Sequence, residues 1–145
     1  MRFKRWLILG IVAVVGIVPE LPATAEDLGS ARAALSAGGF CSGSIRWQVA
    51  ENYVGQRRKV RGPVRSTVYA RRSRGRPTFL NVGRPFPNPQ RFTVVIWGRY
   101  RRRFPNPPER LYRDEYICAR GRIRLFEGVP EVFVSSPGAI EIRGG

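Results

Sequence analysis

The sequence predicts a small all-β domain. Five strands close as a Greek-key barrel, preceded by a short helix and interrupted by a short helical element between strands three and four. Three observations carry this. From Lys59 onward, apolar residues alternate or run in β-branched blocks bounded by Gly, Pro and Asn. The first and fourth blocks are long and hold interior glycines, Gly62 and Gly121, where a strongly coiled strand needs them. After the third block, Pro107-Pro108-Glu109 can start a helix.

In chain order, Ile45 to Gly55 places Trp47, Ala50 and Val54 at helical spacing, with Gly55 as a stop. This predicts a short helix that packs Trp47 and Val54 inward. Lys59 to Ala70 alternates, with Val60, Gly62, Val64, Ser66 and Val68 on one side and Arg61, Arg65, Thr67 and Tyr69 on the other. Gly62 marks an expected bulge. Arg71 to Pro77 is a basic turn, Thr78 to Gly83 a short strand and Arg84 to Gln90 a proline-rich connection. Arg91 to Trp97 is the third strand, and Gly98 to Arg113 leads into the fourth, Asp114 to Phe126. A turn at Glu127 to Pro130 precedes the last strand, Glu131 to Ser135, and a short tail, Pro137 to Ile142. There is no internal repeat. The order β-β-β-α-β-β is that of the OB-fold.

The N-terminus is set aside from this domain. Met-Arg-Phe-Lys-Arg is a positive start, Trp6 to Val18 an apolar run, and Ala23-Thr24-Ala25 a small-residue cleavage site. This pattern predicts a secretory signal peptide over 1–25. The apolar run is shorter than the roughly 20 residues of a membrane span. No stable span is expected after cleavage, and Cys41 lies too far from the run for a lipoprotein site. A loosely held, Gly/Ala/Ser-rich lead-in follows over 26–44, then the barrel domain over 45–145. The expected location is periplasmic or extracellular.

The 145-residue chain carries a net charge of +16, with 26 basic and 10 acidic residues. Removal of the leader leaves a net charge near +14. Such a field attracts polyanions. Arginine outnumbers lysine 24 to 2, and there is no histidine. Two cysteines without histidine make neither a usual zinc site nor a cysteine–histidine nucleophile. After export, Cys41 and Cys118 are expected to form one disulfide. No cofactor and no metal are expected.

Several phrases occur in a telling order: Ile45-x-Trp47-x-x-Ala50-x-x-Tyr53-Val54-Gly55, Val60-x-Gly62-x-Val64, Phe79-Leu80-Asn81-Val82-Gly83, Phe86-Pro87-Asn88, Phe92-Thr93-Val94-Val95-Ile96-Trp97 and Ala119-Arg120-Gly121-Arg122-Ile123. Together they resemble the bacterial exported OB-fold nucleic-acid-binding domain, which is also found appended to nucleases. The resemblance spans about Ile45 to Ile142. It implies an OB barrel and a nucleic-acid ligand.

In such barrels strands two and three form the ligand face, where basic grooves hold phosphates and aromatic rings stack on bases. Alternation puts Leu80 and Val82, then Phe92, Val94 and Ile96, in the core. It leaves Phe79, Asn81, Thr93, Val95 and Trp97 outside. Phe79 and Trp97 are the stacking candidates, joined by Tyr100. The phosphate-binding candidates are Arg71, Arg72, Arg74, Arg76, Arg84, Arg99, Arg101, Arg102 and Arg103, because the planar guanidinium fork matches phosphate oxygens. The expected function is non-catalytic binding of single-stranded or nonspecific DNA or RNA. The alternative is an envelope protein that binds acidic glycan, anionic lipid or a partner protein. A nuclease is disfavoured. Glu109, Asp114 and Glu115 cluster in sequence, but a hard-metal site wants several converging oxygens, and these acids balance local arginines.

Overall fold

The structure is a computed structural model of the chain, and it describes residues 39–144. The signal peptide and most of the lead-in expected from the sequence lie outside these residues. No helix among the described residues is long and apolar enough to cross a membrane.

The domain is mostly β. Its strands are β1 (Ile45–Arg46), β2 (Arg57–Tyr69), β3 (Thr78–Val82), β4 (Phe92–Ile96), β5 (Tyr116–Arg122), β6 (Arg124–Phe126), β7 (Val129–Phe133) and β8 (Ile140–Ile142). One sheet runs in the order β6-β7-β4-β3-β2-β5-β8, with β1 parallel to β2. β2, β3 and β4 form an antiparallel meander, and β7 returns parallel to β4. Among the described residues, eight strands in an open sheet replace the expected five in a closed barrel. The cause lies at the edges of β5 and β7. β8 occupies the free edge of β5, and β6 occupies that of β7. The expected long fourth strand breaks at Ile123, so its second half pairs separately as β6. The expected tail supplies β8 after a 3-10 turn at Pro137–Ala139.

The core holds Val60, Val64, Leu80, Val82, Phe92, Val94, Ile96, Ile117, Ile123 and Val132. These are the residues that period-2 alternation aims to one face of a strand. Tyr112 is also fully buried, and desolvation pushes its phenol up to about 12. Cys41 and Cys118 are joined as a disulfide with their Cα atoms 5.8 Å apart.

Four local readings need correction. The first helix is a 3-10 helix over Trp47–Tyr53, and Val54 lies beyond it, 40% exposed rather than packed inward. The bulge sits between Val64 and Ser66, not at Gly62. It exchanges the two faces of β2, so Val68 turns outward, 43% exposed, while Thr67 reaches back to the Glu109 carbonyl. Gly62 and Gly83 are small for another reason: the Trp47 indole lies against both, and Gly83 also takes a φ of +79°. Finally, Asn81, Thr93 and Val95 stand on the outer face as expected, yet are buried there. The register sets Val95 between Phe79 and Phe133, and the connection around Phe86 hydrogen-bonds to Ser66 beside Asn81.

Candidate nucleic-acid interface

β3 begins where β4 ends, since Thr78 pairs with Ile96. The basic turn before β3 and the arginine-rich segment after β4 therefore meet at one end of the sheet. The turn is closed by Ser73 N–H to Ala70 O (3.0 Å), Arg76 N–H to Ser73 O (3.0 Å) and Ala70 N–H to Pro77 O (2.9 Å). Gly75 and Arg76 take positive φ, +75° and +45°. Gly98 N–H then donates to Gly75 O at 2.9 Å, which docks the second segment on the first. A Cβ on Gly75 would sit 2.9 Å from the Trp97 ring, so only glycine lets the indole lie there.

Gly98–Arg103 forms a second 3-10 helix, which the sequence reading missed. Three residues per turn eclipse positions i and i+3, and this sorts the arginines. Gly98 and Arg101 face inward. Arg101 makes a bidentate pair with Glu109 (2.7 and 3.1 Å), hydrogen-bonds Thr78 Oγ1, and lies 3.6 Å from the Tyr69 ring centroid. Tyr100 and Arg103 share another face. Arg103 stands 4.8 Å from the Tyr100 ring centroid and donates to Ser135 O at 3.3 Å. Arg99 and Arg102 share the third face, which looks into an open cleft of about 780 Å³ lined also by Arg74, Gly75, Arg76, Trp97 and Gly98.

Trp97 is half-buried and forms the wall of this cleft. Phe133 meets it edge-to-face, with centroids 5.7 Å apart and planes at 78°. Beyond it a smaller concavity is lined by Arg99, Tyr100, Arg124 and Phe133. The indole thus separates two basic hollows. Phe133 and Arg124 were not singled out from the sequence. The signal was present, because buried Val132 and Val134 put Phe133 on the outer face by alternation.

The expected residues do not all gather here. Arg74, Arg76, Arg99 and Arg102 line the cleft with Trp97. Arg71 and Arg72 are exposed on the same turn but outside the lining. Arg84 lies at the opposite end of β3, near Trp47 and Glu51. Phe79 is half-buried in a separate pocket with Asn81 and Thr93. The Tyr100 ring already carries two guanidinium groups, Arg99 at 5.0 Å and Arg103 at 4.8 Å. Arg101 is committed to Glu109. Burial pulls the Glu109 pKa up, but the Arg101 hydrogen bonds, a backbone hydrogen bond and the charges of Arg101 and Arg110 outweigh it and hold the carboxyl below its ordinary value. Among the described residues, no three Cys, Asp or Glu side chains gather as a metal site would require.

No protein-family model and no curated protein matches the chain. Among solved structures, it is similar to an asparaginyl-tRNA synthetase from Pyrococcus horikoshii, with 17% identity and a TM-score of 0.45, over 68% of this chain and 22% of that one. It is also similar to an OBody bound to hen egg-white lysozyme, with 18% identity and a TM-score of 0.44, over 70% of this chain and 95% of that one. The chain thus spans about a fifth of the synthetase. At these values neither likeness carries an argument about what the chain binds.

Proposed function

We propose that the chain is an exported, non-catalytic OB-fold domain that holds single-stranded nucleic acid in the cleft beside Trp97. One observation carries this reading. Four guanidinium groups, from Arg74, Arg76, Arg99 and Arg102, surround a half-exposed indole, and among the described residues none of the four is in an ion pair. Guanidinium groups that lack carboxylate partners suit phosphates, and a ring between them suits a base. Duplex DNA hides its base faces, so the indole favours single strands. The antiparallel meander of β2, β3 and β4, with β7 parallel to β4 and β5 beside β2, supports the OB reading, since that fold is a partly open Greek-key barrel. The apolar leader and the Cys41–Cys118 disulfide support export, because disulfides persist in oxidising compartments. Binding rather than catalysis is supported by Glu109, whose carboxylate is already held by Arg101.

The test is fluorescence anisotropy with a labelled oligonucleotide at several salt concentrations. Single-strand binding should weaken by about 0.7 log units per phosphate contact for each log unit of salt. Binding that ignores salt would sink the proposal. A second reading, capture of an acidic glycan, is favoured by Arg57, Arg120, Arg122 and Arg124, which line another polar hollow that the indole does not line. A sulfated glycan that displaces the oligonucleotide at matched charge would select it.

A further inference from the structure

The outer face of the sheet holds a second pocket, separate from the Trp97 cleft and with a different chemistry. Its volume is about 410 Å³, within the range of small-molecule sites. Apolar side chains wall it. Phe86, in the β3–β4 connection, and Phe126, at the end of β6, stand among its lining residues at 62% and 61% exposure. Arg91 ties down the Phe86 wall: it donates to Pro87 O (3.2 Å) and Asn88 O (2.7 Å) and lies 5.2 Å from the Phe86 ring centroid.

The floor is polar. Asn81, Thr93 and Glu131 come from adjacent strands in one register row. Asn81 is fixed at both ends, since Nδ2 donates to Ser66 Oγ at 3.0 Å and Oδ1 accepts from Thr93 Oγ1 at 3.4 Å. Glu131 is only 9% exposed, and among the described residues its carboxylate has no hydrogen-bond or ion-pair partner. Burial raises its pKa, and Arg124, its register neighbour on β6, opposes that rise. Arg91 and Glu127 line the same pocket. The carboxylate oxygens are not sealed from solvent, so they are open acceptors that a donor in the pocket can reach.

We propose that this pocket receives one unpaired guanine base and that the Glu131 carboxylate reads its Watson–Crick edge. The proposal rests on the nucleic-acid reading above and adds a base preference to it. A carboxylate offers two adjacent acceptors and no donor. Guanine alone presents two adjacent donors, N1–H and the N2 amine, on that edge. Adenine and cytosine set an acceptor beside their amine, and thymine sets carbonyls on both sides of its single N–H. Each would bring an oxygen or nitrogen lone pair against the carboxylate. The edge is free only in a single strand, and the apolar walls suit the faces of the ring.

The experiment uses fluorescent thymidine decamers that differ only at one central position: thymine, guanine, hypoxanthine, adenine or cytosine. The guanine decamer should bind about tenfold tighter than the all-thymine one. Hypoxanthine keeps N1–H but lacks the N2 amine, and should lose most of that gain on the unaltered protein. Glu131→Gln should bring the guanine-to-thymine ratio toward one. Equal affinity for all five decamers, or a guanine gain that survives Glu131→Gln, would overturn the pocket while leaving the Trp97 cleft standing. Failure to bind any decamer would overturn both.

Discussion

Trp47 and Trp97 are each half-buried and each lies against glycine, yet they do different work. Trp47 packs on Gly62 and Gly83 and joins the hydrophobic core. Trp97 packs on Gly75 and Phe133 but faces a hollow lined by four arginines. Glycine serves both rings by giving close backbone approach. What separates a plug from a platform is the other side of the ring. Around Trp47 it is a hollow of mixed charge, where Glu51 stands with Arg84 and Arg91. Around Trp97 it is cations held apart by a 3-10 helix and a tight turn.

The comparison breaks first on stability. Trp47→Ala leaves a cavity over two glycines and is expected to cost about 3–5 kcal/mol, read as a fall in the denaturant midpoint. Trp97→Ala should cost far less stability. A loss at position 97 as large as at position 47 would mean that both rings are core.

The neighbouring arginines sharpen the same contrast. Arg101→Ala leaves the Glu109 carboxylate without its bidentate partner and should cost about 2 kcal/mol of stability. Arg102→Ala, one residue on and exposed, should change stability by less than about 0.5 kcal/mol. Arg102→Ala should instead weaken oligonucleotide binding and flatten its salt dependence. Matching thermal and binding profiles for the two variants would contradict the three-faced sorting of this helix.

On binding, Trp97→Ala should lose about 1–3 kcal/mol of single-strand affinity, the usual contribution of one stacked base. Tyr100→Ala should lose less, because its ring already carries Arg99 and Arg103. Oligonucleotide titrations of the two variants give the order directly.

The smallest expected effect is a pH dependence with two opposed parts. Glu109 has a folded pKa below its unfolded value, so it adds stability above the ordinary carboxylate range, and this is lost as pH falls through the folded pKa. Glu131 has a folded pKa above its unfolded value, so its contribution is present below the ordinary range and is lost as pH rises through the folded pKa. Glu131→Gln should therefore make the protein relatively more stable toward neutral pH. Glu109→Gln should reduce the loss of stability in acid. Chemical denaturation at stepped pH reads both.

The sequence carried the core well, because period-2 alternation is a local signal. Leu80, Val82, Phe92, Val94 and Ile96 are buried as alternation requires. It failed where a face depends on something distant. The bulge after Val64 turns Val68 outward, and no residue there announces it. Asn81 and Thr93 alternate outward, but the β3–β4 connection folds back so that Phe86 N–H reaches Ser66 beside Asn81, a contact that alternation does not show. The gathering of Arg74, Arg76, Arg99 and Arg102 was legible only in part. Composition showed the charge, but only three-residue periodicity in Gly98–Arg103 tells Arg101 from Arg102. Arg84 looked equivalent to the other arginines because strand direction, not sequence distance, decides which end of a sheet a residue reaches.

The most direct measurement is the indole N–H spectrum of the protein, labelled with nitrogen-15 and titrated with a thymidine oligonucleotide. The chain has three tryptophans, and Trp47→Phe and Trp97→Phe assign the two in the described domain. The Trp97 indole is predicted to shift with saturation at the binding stoichiometry, while the Trp47 indole stays in place. A shift at Trp47 with Trp97 unmoved, or no shift at either while the oligonucleotide binds, would contradict the assignment of the cleft.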